Sequence, residues 1–274
     1  SEQGPQTLPE ISAERASAGD ETSTEAQSGV ALEIDGKFLP TQYTESRIVQ
    51  EYIRDPALLN NRKFDIRCYM LIASTKPEFL ALFHDGYVRC SLSEYTEDNL
   101  SDNFVHLTNA AVQKKHASFK DRGEDAIKSM DDLQQILTEQ GQAGPTWVSQ
   151  TLRPKLQLIC REVFLASKDK LIRRKGQFEL LGLDFVIDSC LNPWLLEVNS
   201  NPALWIHSSV QRKLLPELVK HTLEVVLELH EKIRDSSNSE AVKAIDLASL
   251  SETDSFSVLY DGAADVAAPT ISVS

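Results

Sequence analysis

The chain has 274 residues, 41% of them hydrophobic, and a formal net charge of −13 at pH 7. This length and apolar fraction allow one or two globular domains, and so acidic a chain is not expected to bind nucleic acid. No stretch reaches the roughly 20 apolar residues of a membrane span, and the N-terminus lacks the basic and apolar regions of a signal peptide.

The acidic charge is concentrated at the two ends. Residues 1–30 carry −5 and residues 235–274 carry −6, which leaves −2 for the rest of the chain. Both ends are rich in Ser, Ala, Thr and acids and poor in large apolar residues, a composition that favours disorder. We therefore predict disordered acidic tails over 1–29 and 235–274, and one folded domain over 30–234.

The cysteines are scattered, with no C-x-x-C spacing that would indicate a metal or redox motif. We expect all four to be buried, reduced thiols of a cytosolic protein. They are Cys68, Cys90, Cys160 and Cys190.

The first predicted elements are short strands. Strand formers over 30–34 and 37–39 flank Asp35-Gly36, a strong signal for a two-residue turn, and predict a hairpin. Residues 48–53 predict a further strand. It ends at Asp55-Pro56 because proline lacks the N–H that a sheet ladder needs.

A longer strand is predicted over 63–70, after a turn at Asn60-Asn61. Apolar side chains alternate with Lys63, Asp65 and Arg67, so the two sets lie on opposite faces. The charged face has two interpretations. It is either a solvent-exposed charge ladder, or a nucleotide site whose ammonium, carboxylate and guanidinium groups match base, ribose and phosphate.

Another strand is predicted over 79–83, where His84-Asp85-Gly86 then predicts a turn into residues 87–89. Two amphipathic helices follow. One begins near Asp131 and ends at Gly141, and the other is indicated by apolar residues at helical spacing over 152–164.

A basic run over 168–175 is either a solvated loop or a dock for an acidic peptide. The last helix is predicted by apolar spacing over 214–233. Because Pro216 fits only near a helix start, we expect that helix to begin around Leu215.

Residues 178–202 are the most informative stretch. They predict a hairpin with a four-residue loop at 189–192, and that register places Asp184 opposite Glu197, with Asn199 on the same face. Like charges in this position repel unless a cation lies between them, and three oxygen ligands suit Mg²⁺. The alternative is that the carboxylates are ordinary solvent-side charges.

The runs G-L-D-F-V-I-D and N-P-W-L-L-E-V-N-S-N-P resemble the C-terminal signature of the tubulin tyrosine ligase-like family, ATP-grasp ligases that attach amino acids to proteins, mainly tubulin. V-Q-E-Y-I, N-R-K-F-D-I-R-C-Y-M-L and H-L-T-N precede them in the family's order, so the resemblance covers roughly residues 48–227. It implies an α+β fold, with an ATP-grasp-like antiparallel sheet packed by helices. The sequences of these motifs are most similar to those of the polyglycylase branch of the family.

This resemblance also implies a chemistry. ATP and Mg²⁺ would activate a glutamate side chain of tubulin, or of another acidic protein, as an acylphosphate, which a free amino acid then attacks. The amino acid implied is glycine, with glutamate as the alternative. The implied partners are tubulin and microtubules, and the implied location is the cytoplasm and cytoskeleton, including the cilium or axoneme.

The family's motifs imply site roles by position. Arg67 and Arg89 would face the phosphate as catalytic residues, and the resemblance supports Asp184, Glu197 and Asn199 as the metal ligands. The implied ATP-binding residues are Gln50, Glu51, Tyr52 and Ile53 at the adenine hinge, then Lys63, Asp65, Thr108 and Asn109. His106 is expected to be structural rather than a general base.

The chain departs from the family's pattern before the hinge. Only about fifty residues precede it, with Lys37 as their only lysine and no glycine-rich loop beside it. We therefore expect the N-terminal subdomain and half of the nucleotide clamp to be missing.

Two other functions remain open. One is a non-catalytic, tubulin-binding module. The other is a phosphotransferase, suggested by Asp184-Phe185 but disfavoured because Val186 stands where a kinase has glycine and no H-R-D loop or P-loop is present.

Overall fold

The computed structural model describes residues 32–34, 37–39, 49–235 and 255–262. The chain divides into two compact units, Ser1–Glu51 and Tyr52–Ser274. In the first unit, strands β1 (Leu32–Ile34) and β2 (Lys37–Leu39) pair antiparallel, with Glu33 opposite Phe38. The predicted hairpin is therefore confirmed over these residues.

The second unit is built on one antiparallel sheet of seven strands. The strands are β3 (Leu58–Leu59), β4 (Arg62–Ser74), β5 (Leu80–Cys90), β6 (Ile127–Lys128), β7 (Glu179–Ile187), β8 (Pro193–Asn199) and β9 (Ser257–Asp261). Their main order in the sheet is β6-β5-β4-β7-β8; β3 adds to β4, and β9 adds to β5. Helices pack on this sheet, so the predicted α+β class is confirmed. The strand predicted over 48–53 is wrong for residues 49–53, which belong to no strand.

The central strand β4 is buried on both faces. Phe64 belongs to the core that helices α4 (Met130–Glu139) and α5 (Arg153–Ser167) cover. Tyr69 belongs to the core beneath helix α6 (Ser209–Asp235). The predicted alternation is confirmed, but the solvent-exposed interpretation of the charged face is wrong. The exposed fractions are 9% for Lys63, 4% for Asp65 and 6% for Arg67.

Strand β5 runs unbroken from Leu80 to Cys90, so the turn predicted at 84–86 is wrong. Instead, its register with β4 shifts between Arg67 and Tyr69, which marks a β-bulge. Gly86 lies there with φ at +70°, and a Cβ on it would be 1.7 Å from the backbone oxygen of Arg67. The glycine therefore serves a bulge within one strand, because only glycine fits so close to that carbonyl.

Helices cover both faces of the sheet. Among the described residues, none of them combines the length and apolar character of a membrane-spanning segment. The predicted α4 is confirmed, with Ser129 and Asp132 forming a reciprocal cap at its start. The helices are α1 (Asn103–His106), α2 (Ala110–Gln113), α3 (Phe119–Arg122), α4 (Met130–Glu139), α5 (Arg153–Ser167) and α6 (Ser209–Asp235).

Helix α6 is 27 residues long and begins at Ser209, so the predicted start near Leu215 is wrong. The carboxylate of Glu124 accepts hydrogen bonds from the backbone N–H and the hydroxyl of Ser209, both at 2.9 Å, and fixes this end. Pro216 thus lies inside the helix and removes one helical hydrogen bond. The fully buried side formed by Leu218, Val225 and Leu229 offsets that loss.

The disordered tail predicted over 235–274 is wrong for residues 255–262. Strand β9 pairs with β5, and Phe256 and Leu259 are buried in the cores on the two faces of the sheet. The sequence did not reveal this strand because its surroundings are polar and acidic. The tail predicted over 1–29 lies outside the described residues.

Three cysteines are buried as expected, whereas Cys190 is exposed in the β7–β8 loop. Burial raises the pKa of Cys90 and of Cys160 to about 12, so both stay protonated thiols near neutral pH. The prediction of four buried thiols is therefore wrong for Cys190.

Candidate active site

The sheet register brings the predicted charged residues together. Asp65 is paired with Arg89 across β4 and β5, and Arg67 is paired with Asp184 across β4 and β7. Asp184 is in turn opposite Glu197 across β7 and β8. Because directly opposed residues share a face, all five side chains lie on the α6 side of the sheet.

The predicted pairing of Asp184 with Glu197 is confirmed, although the loop that leads to it is not the one predicted. Ile187 is opposite Pro193, so the connection has five residues rather than four. A register shift between Asp184 and Phe185 then compensates for the extra residue.

Two buried aspartates hold the two arginines. Arg89 donates from Nε and Nη2 to the two carboxylate oxygens of Asp65, both at 2.6 Å, and its Nη2 also lies 2.8 Å from Oδ2 of Asp184. Arg67 donates from Nε to Oδ1 of Asp184 and from Nη2 to Oδ2 at 2.9 Å. Thr108 donates its hydroxyl hydrogen to Asp65. These planar, bidentate contacts fix the guanidinium groups in place.

The electrostatics favour the ionised forms of Asp184 and Arg89. Burial alone would raise the pKa of Asp184, but hydrogen bonds and charges from Arg67 and Arg89 lower it below its usual value. Burial alone would lower the pKa of Arg89, but Asp65 and Asp184 raise it above its usual value.

A second network of hydrogen-bonded polar groups lies at the start of β4. Lys63 donates from Nζ to the hydroxyl oxygen of Tyr52 at 2.9 Å, and that hydroxyl is 2.8 Å from Nδ1 of His106. Nε2 of His106 donates to the carbonyl of Asn99 at 3.1 Å. Burial lowers the pKa of Lys63 to about 8, with Asp65 acting in the opposite direction. Both ring nitrogens of His106 are thus engaged within the protein, as a structural role requires.

A cleft of about 420 Å³ opens over the arginines. Five of the predicted site residues line it: Arg67, Arg89, Asn109, Glu197 and Asn199. Gly182 lets Arg67 and Pro202 lie close to strand β7, because a Cβ there would be 2.8 Å from Cβ of Pro202 and 3.2 Å from Cδ of Arg67. Asp65 and Asp184 lie behind the arginines, where they are 4% and 1% exposed.

Several cleft residues were missed from the sequence, among them Lys114, Trp205 and His207. They lie outside regular strands and on no alternating pattern, so no periodicity singled them out. The one available signal was an apolar Leu204-Trp205-Ile206 run in a segment without strand or helix.

The adenine-hinge residues are divided between the two units. Gln50 and Glu51 end the first unit, whereas Tyr52 and Ile53 begin the second. Their predicted contact with a nucleotide base therefore stays a prediction.

The oxygen donors fit a hard divalent cation only in part. Glu197 and Asn199 line the cleft, and Nδ2 of Asn199 donates to Oε1 of Glu197 at 3.1 Å. Asp184 uses both its oxygens on the arginines, but a carboxylate has further lone pairs to offer. No group of three or more His, Cys, Asp or Glu side chains in the described part of the chain is arranged to hold a metal. The three-residue Mg²⁺ set, which includes an asparagine, stays a prediction.

An antiparallel sheet packed by helices, with an arginine–aspartate cluster beneath a cleft, is consistent with the ATP-grasp-like fold that the sequence motifs imply. The model of the tubulin-tyrosine ligase family matches residues 23–234, which is more than half of the chain. The chain therefore belongs to the tubulin-tyrosine ligase family.

The names of individual relatives are more specific than the name of the family. The chain is 38% identical over 231 residues to protein polyglycylase TTLL10 of Macaca fascicularis, covering 83% of this chain and 36% of the relative. It is 40% identical over 198 residues to inactive polyglycylase TTLL10 of Homo sapiens, covering 70% and 29%. With tubulin glycylase 3D of Tetrahymena thermophila it shares 35% over 187 residues, covering 66% and 18%. The chain thus spans about a third or less of the length of these relatives.

Proposed function

We propose that this chain is the catalytic part of an ATP-dependent ligase that adds glycine to glutamate side chains of tubulin or of another acidic protein. The observation that carries the proposal is the arginine pair at the floor of the cleft, with Glu197 and Asn199 on its wall. Relatives named as glycylases support the choice of glycine.

In this proposal the arginines hold the transferred phosphate. Arg67 and Arg89 are oriented by Asp184 and Asp65 before any ligand arrives, so binding an anion requires little rearrangement. Such pre-organised positive groups stabilise the charge that develops during phosphoryl transfer. Removing Asp184 would leave the buried Arg67 without its carboxylate partner, whereas removing Asp65 would leave Arg89 with only its contact to Asp184.

The remaining predicted residues would hold the nucleotide and its cation. Lys63, Asp65, Thr108 and Asn109 would bind ATP, with Gln50, Glu51, Tyr52 and Ile53 around the base. Glu197, Asn199 and Asp184 would hold Mg²⁺, which when bound offsets the negative charge of the phosphates.

The proposed reaction has two steps. The γ-phosphoryl group moves from ATP to a glutamate side-chain carboxylate of the acceptor, which yields ADP and an acylphosphate. The unprotonated amine of the amino acid then attacks the acyl carbon, releases inorganic phosphate and forms an isopeptide bond. Arg67 and Arg89 can hold the phosphate oxygens through both steps because neither arginine changes its charge.

The cytoskeletal location, the microtubule partner and the choice of glycine over glutamate belong to this proposal. A second candidate is a non-catalytic tubulin-binding module. It is favoured by one observation, that a 40% identical relative is named as inactive.

Incorporation of radiolabelled amino acids tests the proposal. Purified chain, ATP and Mg²⁺ are incubated with tubulin and either labelled glycine or labelled glutamate. We expect glycine to enter tubulin, Glu197→Gln to abolish this without lowering the melting temperature, and the exposed helix variant Glu231→Gln to behave as wild type. Preferred incorporation of glutamate would refute the choice of glycine. No incorporation of either amino acid would favour the non-catalytic module.

A further inference from the structure

Three side chains gather at one part of the cleft, and none of them is among the predicted nucleotide or metal residues. Nζ of Lys114 lies 5.4 Å from the ring centroid of Trp205, and the rings of Trp205 and His207 are 6.3 Å apart. Lys114 is the C-cap residue directly after α2, whereas Trp205 and His207 belong to the segment between β8 and α6. Two separate parts of the chain therefore build this group, which we call the Lys114–Trp205 rim.

The rim carries a cation that forms no ion pair with a carboxylate of the described residues. In the described part of the chain, the lysines that form ion pairs are Lys128, Lys220 and Lys232, and Lys114 is not among them. Burial, followed by the charge of Lys114, lowers the pKa of His207, so His207 is neutral near pH 7. The arginines of the floor are already paired with aspartates. The positive charge at this part of the cleft thus comes from Lys114.

Trp205 is the other unusual member. Its side chain is 69% exposed, although large aromatic side chains are normally buried or bound to a partner. Exposed tryptophans beside a cleft are typical anchors of peptide and protein interfaces. A cation next to an exposed indole suits an extended, acidic peptide that offers a carboxylate and a backbone or methylene surface to pack on the ring.

The basic run over 168–175 is less well placed for such a peptide. Arg173 donates from Nε to the carbonyl of Thr75 at 3.0 Å, which anchors the run beyond the far end of β4. Arg67 and Thr75 are eight residues apart, which corresponds to about 26 Å along a strand. An acceptor glutamate bound at the arginines cannot have its immediate neighbours on that run.

We propose that Lys114 and Trp205 form a docking subsite for the acidic acceptor peptide. The ammonium group of Lys114 pairs with the carboxylate of a glutamate that is not being modified, while the indole packs against the adjacent peptide chain. This inference rests on the proposed function for the identity of the acceptor. It adds a positioning role for two residues that touch the peptide rather than the reacting atoms.

Peptide binding without ATP tests the subsite separately from catalysis. A fluorescein-labelled, glutamate-rich peptide is titrated with the full chain, and its anisotropy is followed. We expect Lys114→Gln to weaken binding about threefold, as for a partly exposed ion pair, and Lys114→Arg to stay within about twofold of wild type. Trp205→Ala is expected to weaken binding about tenfold, with Trp205→Phe in between.

Lys170→Gln is the matched control, because it removes the same charge from the basic run. It should leave peptide affinity nearly unchanged, and none of the rim variants should change calorimetric ATP affinity. Equal losses in Lys170→Gln and Lys114→Gln, a fall in ATP affinity for Lys114→Gln, or no peptide binding by wild type would each overturn the proposal. Peptide binding by wild type without amino-acid incorporation would refute the ligase function and leave the subsite standing.

Discussion

Asp184 and Glu197 are opposed on the same hairpin, yet we expect their substitutions to act in different ways. Asp184 is 1% exposed and holds both arginines, whereas Glu197 is exposed and hydrogen-bonds to Asn199. Asp184→Asn should therefore destabilise the fold. Glu197→Gln should abolish ligation and leave the fold intact.

The magnitude follows from the contacts. Removing one partner of a buried, hydrogen-bonded ion pair lowers the free energy of unfolding by about 3–5 kcal/mol, because the remaining charge stays buried. A substitution at an exposed side chain changes it by only about 0.5 kcal/mol. With a slope of about 2 kcal/mol per molar urea, Asp184→Asn should lower the midpoint by roughly 1.5–2.5 M.

Urea unfolding followed by tryptophan fluorescence measures both variants. The pKa of Asp184 is lower in the folded chain than in the unfolded one, so its ion pairs contribute stability above about pH 4 and lose it as the pH falls through the folded pKa. The gap between wild type and Asp184→Asn should therefore shrink at low pH. A midpoint for Asp184→Asn as high as that of Glu197→Gln would refute the assigned role of the arginine–aspartate cluster.

Three further outcomes follow from other parts of the fold. The pKa of Lys63 is about 8, so ATP affinity should fall as the pH rises from 7 to 9, and Lys63→Arg should remove this fall in calorimetric titrations. Gly86→Ala should lower the free energy of unfolding by more than about 2 kcal/mol, because Gly86 has a positive φ and no room for a Cβ, whereas Gly144→Ala, with open space around it, should stay within about 0.5 kcal/mol. A chain that ends at residue 254 loses the buried side chains of β9 and should melt several degrees lower than one that ends at residue 262, as measured by thermal denaturation.

Local patterns were enough to predict much of the site. The alternation along β4 separated Lys63, Asp65 and Arg67 from the apolar face, because side chains in any strand alternate. The pairing of Asp184 with Glu197 was also predicted correctly. Two features compensate for each other in this pairing. The loop is one residue longer than predicted, and the bulge restores the register that a four-residue loop would give.

Contacts between distant parts of the chain could not be predicted in this way. The pairing of Arg67 with Asp184 spans 117 residues, and no local pattern reveals which carboxylate a guanidinium will meet. Predictions from secondary-structure propensity were also wrong where tertiary packing determines the structure. Strand β9 forms because the edge of β5 accepts it, and Pro216 is tolerated because the burial of α6 outweighs one lost hydrogen bond.

Calorimetric titration with ATP in the presence of Mg²⁺, for wild type and for Glu197→Gln, tests the central claim most directly. We expect saturable binding by wild type that Glu197→Gln weakens severely, because the arginine floor and the Glu197–Asn199 wall act on the same phosphates. Absence of binding in wild type, or undiminished binding in Glu197→Gln, would contradict the assignment of this cleft as a nucleotide and metal site.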